Sequence, residues 1–284
     1  MTFIEFCRTH GLIVDSLVPG RWVRVPTTDH PRKRNGAYKW LGDVGFAQNH
    51  ATMVDVDVWR PDAEAKPADM ARIHAKVAQH ESRMREGWAR ASAKAVELIK
   101  SAKQGPHSYL QNKGFHDAHG LVLPDESLLV PMRHFDTNAV VGAQIIKWLP
   151  DEMRHEKKML PGMRAKGAVF RLGDKRSSRT WLVEGFATGL TVELALRMLR
   201  LRDAVLICFS AGNLTHVASL ISGDALIFAD NDESKAGERA AQATGLRYCM
   251  AGTVGHDAND LHQARGLFEV ASLMMDATQT EPVS

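Results

Sequence analysis

Two stretches decide how this chain is read: Thr180-Trp181-Leu182-Val183-Glu184-Gly185 and Ala225-Leu226-Ile227-Phe228-Ala229-Asp230-Asn231-Asp232. Each is an apolar run of strand length that ends in acid, and each is followed by a helix-like stretch. Side chains alternate along a strand, so Asp230 and Asp232 face the same way. If the two runs are neighbouring parallel strands, Glu184, Asp230 and Asp232 meet at the carboxyl edge of the sheet, where open α/β sheets keep their sites. Three bare carboxylates would repel one another. They make sense around a hard divalent cation, which takes oxygen ligands.

The pattern around these runs supports a parallel sheet. Strands expected near 181–184, 204–209, 225–230 and 247–250 alternate with helices expected near 187–200, 213–221, 234–244 and 259–275. Gly185 allows a sharp turn after Glu184, and the helix opening at Ala187-Thr188-Gly189 offers amides to a phosphate. Ser210 and Asn213, at the end of the intervening strand, are further candidates for nucleotide or phosphate binding. Asn213 as a plain helix cap is the structural alternative. Gly237 falls inside an expected helix, where glycine is unfavourable, and signals a close approach of backbone or ligand. Asp257 and Asp260 are either additional metal ligands or part of a turn that caps the last helix, with Asn259 or Asp260 as the cap.

Upstream of the sheet the chain reads as three segments. Residues 1–65 form a β-rich module with strands at 21–25, 37–41 and 52–56. Residues 66–106 are a helical linker with Met70, Ile73, Val77, Met84 and Trp88 at helical spacing, Pro67 in a first-turn position and Gly87 as a point of weakness. Unbroken, it would run roughly 50 Å. Residues 107–178 form a basic α+β subdomain: a short helix at 109–113 closed by Gly114, then strands at 127–131, 139–145 and 167–171. Residues 179–277 are the α/β sheet domain, and the polar 278–284 a frayed tail.

The 284 residues carry 36 basic and 33 acidic side chains, and 44% are hydrophobic. A net charge of +3 is too mild to identify a nucleic-acid partner, so the distribution of charge has to do so. Between Asp151 and Arg179 nine Lys/Arg face four Asp/Glu, with Lys157, Lys158, Arg164, Lys166, Lys175, Arg176 and Arg179 as candidate phosphate contacts. A second patch, Arg21, Arg24, Arg32, Lys33, Arg34 and Lys39, is interleaved with Trp22, Tyr38, Trp40 and Phe46. Rings beside cations suit unpaired bases, although some of these rings must fill the core of so small a module. The three cysteines, Cys7, Cys208 and Cys249, imply no disulfide framework and fit a reducing cytoplasm. The Cys7–His10 spacing has no second ligand pair nearby, so no zinc is expected. No stretch has the length of a signal peptide or a membrane span.

The chain also resembles a known family. Tyr109-Leu110-x-x-Lys113-Gly114, Leu129-Val130-Pro131-Met132-Arg133, Gly142-Ala143-Gln144, Lys158-Met159-Leu160-Pro161-Gly162 and Glu184-Gly185 with the later Asp-x-Asp are similar to the catalytic core of toprim primases of bacterial, phage and plasmid type. The resemblance covers about residues 107–262. It implies a toprim fold, template-side roles for Arg133, Gln144 and Lys158, and Mg²⁺ or Mn²⁺ on Glu184, Asp230 and Asp232, with Asp257 and Asp260 as further ligands. The implied partners are a single-stranded DNA template, nucleoside triphosphates and a separate replicative helicase, since no GxxxxGK[ST] loop is present. The amino-terminal zinc module usual in that family has no cysteine counterpart in residues 20–60. Two other readings stay open: a toprim nuclease using the same acids, and a non-catalytic single-strand-binding or helicase-loading protein.

Overall fold

The computed structural model describes residues 1–61 and 67–279. It divides at Gly87/Trp88 into two units, inside the long helix and at its one glycine. Among the described residues no helix is long and apolar enough to cross a membrane.

In the first unit, helix α1 (Phe3–Thr9) begins with a capping box in which Thr2 Oγ1 accepts from the Glu5 amide and Glu5 accepts from the Thr2 amide. The sequence reading missed this seven-residue helix. An antiparallel sheet follows in the order β1 (Trp22–Val25), β2 (Gly36–Trp40), β3 (Gly45–Asn49), β4 (Asp57–Trp59). One face packs Val25, Tyr38 and Ala47 on Phe3 and Cys7 of α1, with Trp40 and Trp59 against them. The Phe3 ring lies where a side chain on residue 45 would be, which is why Gly45 is required there. The other face packs Val44 and Phe46 on Ile73 and Val77 of helix α2 (Pro67–Ser101). The expected strand at 52–56 is a turn instead. The Asn49 side chain accepts from the Ala51 amide and the Asn49 carbonyl from Thr52 and Met53, so the local polar contacts turn the chain before it can extend.

In the second unit, β11 (Arg179–Val183), β12 (Ala204–Ile207), β13 (Asp224–Ala229) and β14 (Arg247–Met250) form a parallel sheet in the order β14-β13-β11-β12. Helices α4 (Phe186–Met198), α7 (Ala258–Arg265) and α8 (Leu267–Gln279) bury one face, and α5 (Ala211–Ala218) and α6 (Ala236–Thr244) the other. The helix expected over 259–275 is two helices, broken at Gly266 with φ 90°. Helix α8 runs through Gln279, beyond the expected start of the tail; 280–284 lie outside the described residues.

The basic subdomain continues this sheet. Strand β10 (Ala168–Leu172) pairs antiparallel with β12 and with β7 (Leu128–His134). Beyond β7 come β6 (Gly120–Val122) and β5 (Lys103–Gly105), while β8 (Val140–Leu149) pairs with β7 and forms a hairpin with β9 (Arg154–Met159). The carboxyl-terminal part of α2, through Ala95, Leu98 and Ile99, covers Leu129, Ala143 and Ile145 on one face of this region. Strand β9 was not expected, because Arg-His-Glu-Lys-Lys-Met carries no apolar alternation.

Candidate metal centre

Glu184 and Asp230 directly follow β11 and β13, which are adjacent and parallel, so the two carboxylates reach the same edge of the sheet. Their surroundings disfavour charge. Burial pushes the Glu184 carboxyl up to about 7, and the charge of Asp232 adds to the effect while Lys157 opposes it. Burial, then Glu184, Asp257 and Asp232, raise Asp230 well above the usual carboxylate range. Asp230 Oδ1 is buried with no hydrogen-bond partner.

Asp232 behaves differently. Burial acts to raise it, but the Ser234 hydroxyl and the amides of Gly237, Ala236 and Ser234 together hold it below its ordinary value. Its oxygens accept from the Ala236 amide at 3.3 Å and the Gly237 amide at 3.2 Å, in the first turn of α6. Asp232 is thus the acid that stays charged, at a helix end that favours a negative group. Gly237 packs directly on the Asp230 backbone: a Cβ there would collide with the Asp230 carbonyl oxygen and lie 3.1 Å from its nitrogen. The close approach anticipated at this glycine is to the backbone of the acid itself.

Asp257, not Asn259 or Asp260, is the N-cap of α7, in a reciprocal capping box with Asp260. It also accepts a 3.0 Å hydrogen bond from Thr188 of α4. Thr188 is fully buried, so it positions Asp257 and is not open to a phosphate. Asn213 is likewise engaged: its Oδ1 accepts from the Gly167 amide at 2.8 Å, and its Nδ2 donates to the Ala168 and Cys208 carbonyls at 2.8 and 2.9 Å. It ties β10 to α5. Ser210 caps α5 through the Asn213 amide, and Gly185 is the N-cap of α4.

The basic subdomain brings cations to the acids. On the β8–β9 hairpin Lys157 pairs across from Ile146. Its ammonium lies over the Tyr109 ring at 5.2 Å from the centroid. Although the side chain is exposed, the protein around it lowers its affinity for a proton; Asp257, Asp230, Asp260 and Glu184 act in the opposite sense. Lys113 reaches Asp260 at 3.4 Å, and Asn259 donates to the Lys113 carbonyl at 2.9 Å, which docks helix α3 (Ser108–Asn112) beside α7. Tyr109 and Lys113 were absent from the expected site; the Tyr-Leu-x-x-Lys-Gly motif was their signal.

The other basic candidates scatter. Lys158 pairs across from Ile145, on the face covered by α2 and away from Lys157, and binds Glu156 at 2.8 Å. Arg133 donates to the Asn138 carbonyl at 2.9 Å, and Gln144 is buried opposite Val130. Lys166 is half-buried. Arg32, Lys33 and Arg34 are exposed in the first unit, whereas Trp40 is half-buried against the α1 core. Cys7 is fully buried there, its thiol pushed up to about 12 by burial, as befits a small apolar core residue.

Among the described residues no three His, Cys, Asp or Glu side chains converge as ready metal ligands. Asp232 points its oxygens at the α6 amides, and Asp257 points one oxygen at the Asp260 amide and the other at the Thr188 hydroxyl. The all-oxygen donor set, the orphaned Asp230 oxygen and the suppressed charge on Glu184 nevertheless fit a hard divalent cation, which would satisfy all three conditions.

Residues 179–267 match the family model described as the toprim domain. The chain carries a toprim domain. Its β11 and β13 ends, with Glu184, Asp230 and Asp232, lie inside that match. No curated protein matches the chain. Among solved structures, the DnaG catalytic core is similar with a TM-score of 0.39 and 13% identity, covering 73% of each chain. A chain in the structure of the bacteriophage T7 lagging-strand DNA polymerase, interacting with primase domains of two gp4 subunits bound to an RNA/DNA hybrid and dTTP, has a TM-score of 0.38. It is 18% identical, over 56% of this chain and 79% of that one.

Proposed function

We propose that this chain is a primase that joins nucleoside triphosphates on a single-stranded DNA template. The observation that carries the reading is that Lys157, from the basic hairpin, lies over the Tyr109 ring within electrostatic reach of the toprim acids Glu184 and Asp230 at the adjacent ends of β11 and β13. Glu184 and Asp230, with Asp232 beside them, would hold Mg²⁺ or Mn²⁺. When bound, the ion would neutralise charge on the departing pyrophosphate and lower the pKa of the attacking 3′-hydroxyl. Lys157 and Lys113 would receive the triphosphate, as phosphoryl transfer depends on positioning and electrostatics. Thr188 keeps Asp257 oriented, and the α6 amides keep Asp232 oriented and charged. Arg133, Gln144, Lys158 and Lys166 are assigned to the template side with a separate helicase as partner, and the first unit to template binding.

The test is incubation with single-stranded templates, labelled ribonucleotides and Mg²⁺. Extension products support the proposal. Cut templates would assign the same acids to a nuclease, and binding without either product to a loading protein.

A further inference from the structure

Trp22 and Phe268 are the exposed aromatic rings among the described residues, and Trp22 is 40% open to water. It lies on the edge strand β1, directly across from Lys39 on β2, which in turn pairs across from Phe46 on β3. The three therefore share one face of the sheet, the face that packs on α2. Arg24, two residues along β1, projects from the same face and is exposed.

The helix completes the surface. His80, 8% exposed, is wedged between Phe46 at 4.1 Å and Trp22 at 5.8 Å between ring centroids, and its Nε2 is buried without a partner. Burial lowers its affinity for a proton, so it serves as a neutral ring that backs the indole. Arg83, one turn further, is exposed and close enough to Lys39 to act with burial in lowering the lysine's proton affinity. Glu81, the acid nearest His80, is ion-paired to Arg85 at 3.8 Å. Among the described residues no carboxylate pairs with Lys39 or Arg83.

Like charges brought together without a counter-acid, beside a ring buttressed on its inner side, match an anionic chain with exposed π-faces. We infer that the surface formed by Trp22, Arg24, Lys39 and Arg83 binds single-stranded nucleic acid, with a base stacked on Trp22 and the adjoining phosphates on the three cations. It narrows the patch expected from sequence to Trp22, Arg24 and Lys39, adds Arg83 from α2, and leaves out Arg32–Arg34 and Trp40. It rests on the proposed function only in taking nucleic acid as the partner, and it does not involve the toprim acids.

The experiment is a fluorescence-anisotropy titration of the full chain with labelled oligo(dT) at several salt concentrations, with a melting curve for each variant. Trp22→Ala should weaken binding about five- to hundredfold, and Trp22→Phe should keep most of it, because stacking needs only a π-face. Lys39→Ala with Arg83→Ala should flatten the log–log salt slope by about 1.4, or about 0.7 per phosphate contact. Trp40→Ala should lower the melting temperature and leave affinity unchanged. Unchanged affinity in Trp22→Ala, or an unchanged slope in the double variant, overturns the inference. Should Trp22→Ala fail to fold, Trp22→Ser in the same assay and the double variant at exposed positions still decide it. Primer synthesis is scored on the same samples. Synthesis by wild type with Trp22-independent binding sinks the surface alone, while Trp22-dependent binding without synthesis sinks the catalytic reading alone.

Discussion

Gly237→Ala tests the link between packing and chemistry at the acid edge. The added methyl would meet the Asp230 carbonyl oxygen far inside van der Waals contact, with the Asp230 nitrogen at 3.1 Å and carbonyl carbon at 3.3 Å. All three are backbone atoms at a strand end, and none can rotate away. Restoring normal contact requires a shift of about 1 Å between α6 and the end of β13. Overpacking of this kind costs about 1–3 kcal/mol. Alanine regains about 1 kcal/mol of helix propensity, so the net loss is at most about 2 kcal/mol. In a unit of this size that lowers Tm by at most about 8 °C. A displacement of about 1 Å at a reacting group costs on the order of a hundredfold in rate, so synthesis should fall much further than stability. Gly252→Ala, whose new methyl meets nothing within 4 Å, is the control for both measurements. Calorimetry and primer extension on the two variants decide the matter. Wild-type melting and activity in Gly237→Ala would refute the reasoning.

Asp230→Asn and Glu184→Gln should each reduce synthesis about a thousandfold or more. In the absence of divalent cations both should melt at or above wild type, since each removes a charge the site disfavours; Mg²⁺ should raise the Tm of wild type and not of Asp230→Asn, read by scanning calorimetry. Lys157→Ala should raise the KM for nucleoside triphosphate about tenfold or more, the worth of one charge-assisted phosphate contact, with Tm nearly unchanged because the side chain is exposed; an unaltered KM in steady-state kinetics would remove Lys157 from the phosphate path. Asp224 receives Arg179 at 2.6 Å and Arg247 at 2.5 Å, and although burial acts to raise its pKa, the two guanidiniums hold it low. Its contribution is therefore present above the unfolded carboxylate pKa near 4 and is lost as pH falls through the lower folded value. Asp224→Asn should cost about 1–3 kcal/mol at pH 7, and the gap to wild type should narrow in melts at about pH 3; an equal gap at both pH values would show the pairs to be worth nothing.

The toprim half was legible because its strands are continuous apolar runs that stop at acids or small residues, and the helices between them keep their period. That pattern put Glu184 and Asp230 at matching strand ends, while the pairing of β11 with β13, on which their meeting depended, is a finding of the structure. Strand β9 was not legible, since its side chains are nearly all charged. Without β9 the parity of the hairpin is unknown, so Lys157 and Lys158 looked equivalent, whereas the pairing puts them on opposite faces. Asn213 and Thr188 looked available to a ligand because their buried partners, Gly167, Ala168 and Asp257, are distant in sequence. Trp40 and Trp22 could not be ranked until the sheet had two covered faces. Gly237, in contrast, announced its role by being a glycine where a helix former belonged.

Strand β10 hydrogen-bonds to β12 along one edge and to β7 along the other, so the lysine-bearing hairpin and the acids sit on a single twisted ribbon of backbone bonds. A swinging hinge between them would have to tear that ladder. Motion that admits or releases a substrate must therefore be torsional, a winding and unwinding of the sheet, with the irregular pairing between Met132 and Arg133 as its softest point. Amides of β10 should accordingly be among the last to exchange with solvent, and the register between cation and carboxylate should survive turnover after turnover.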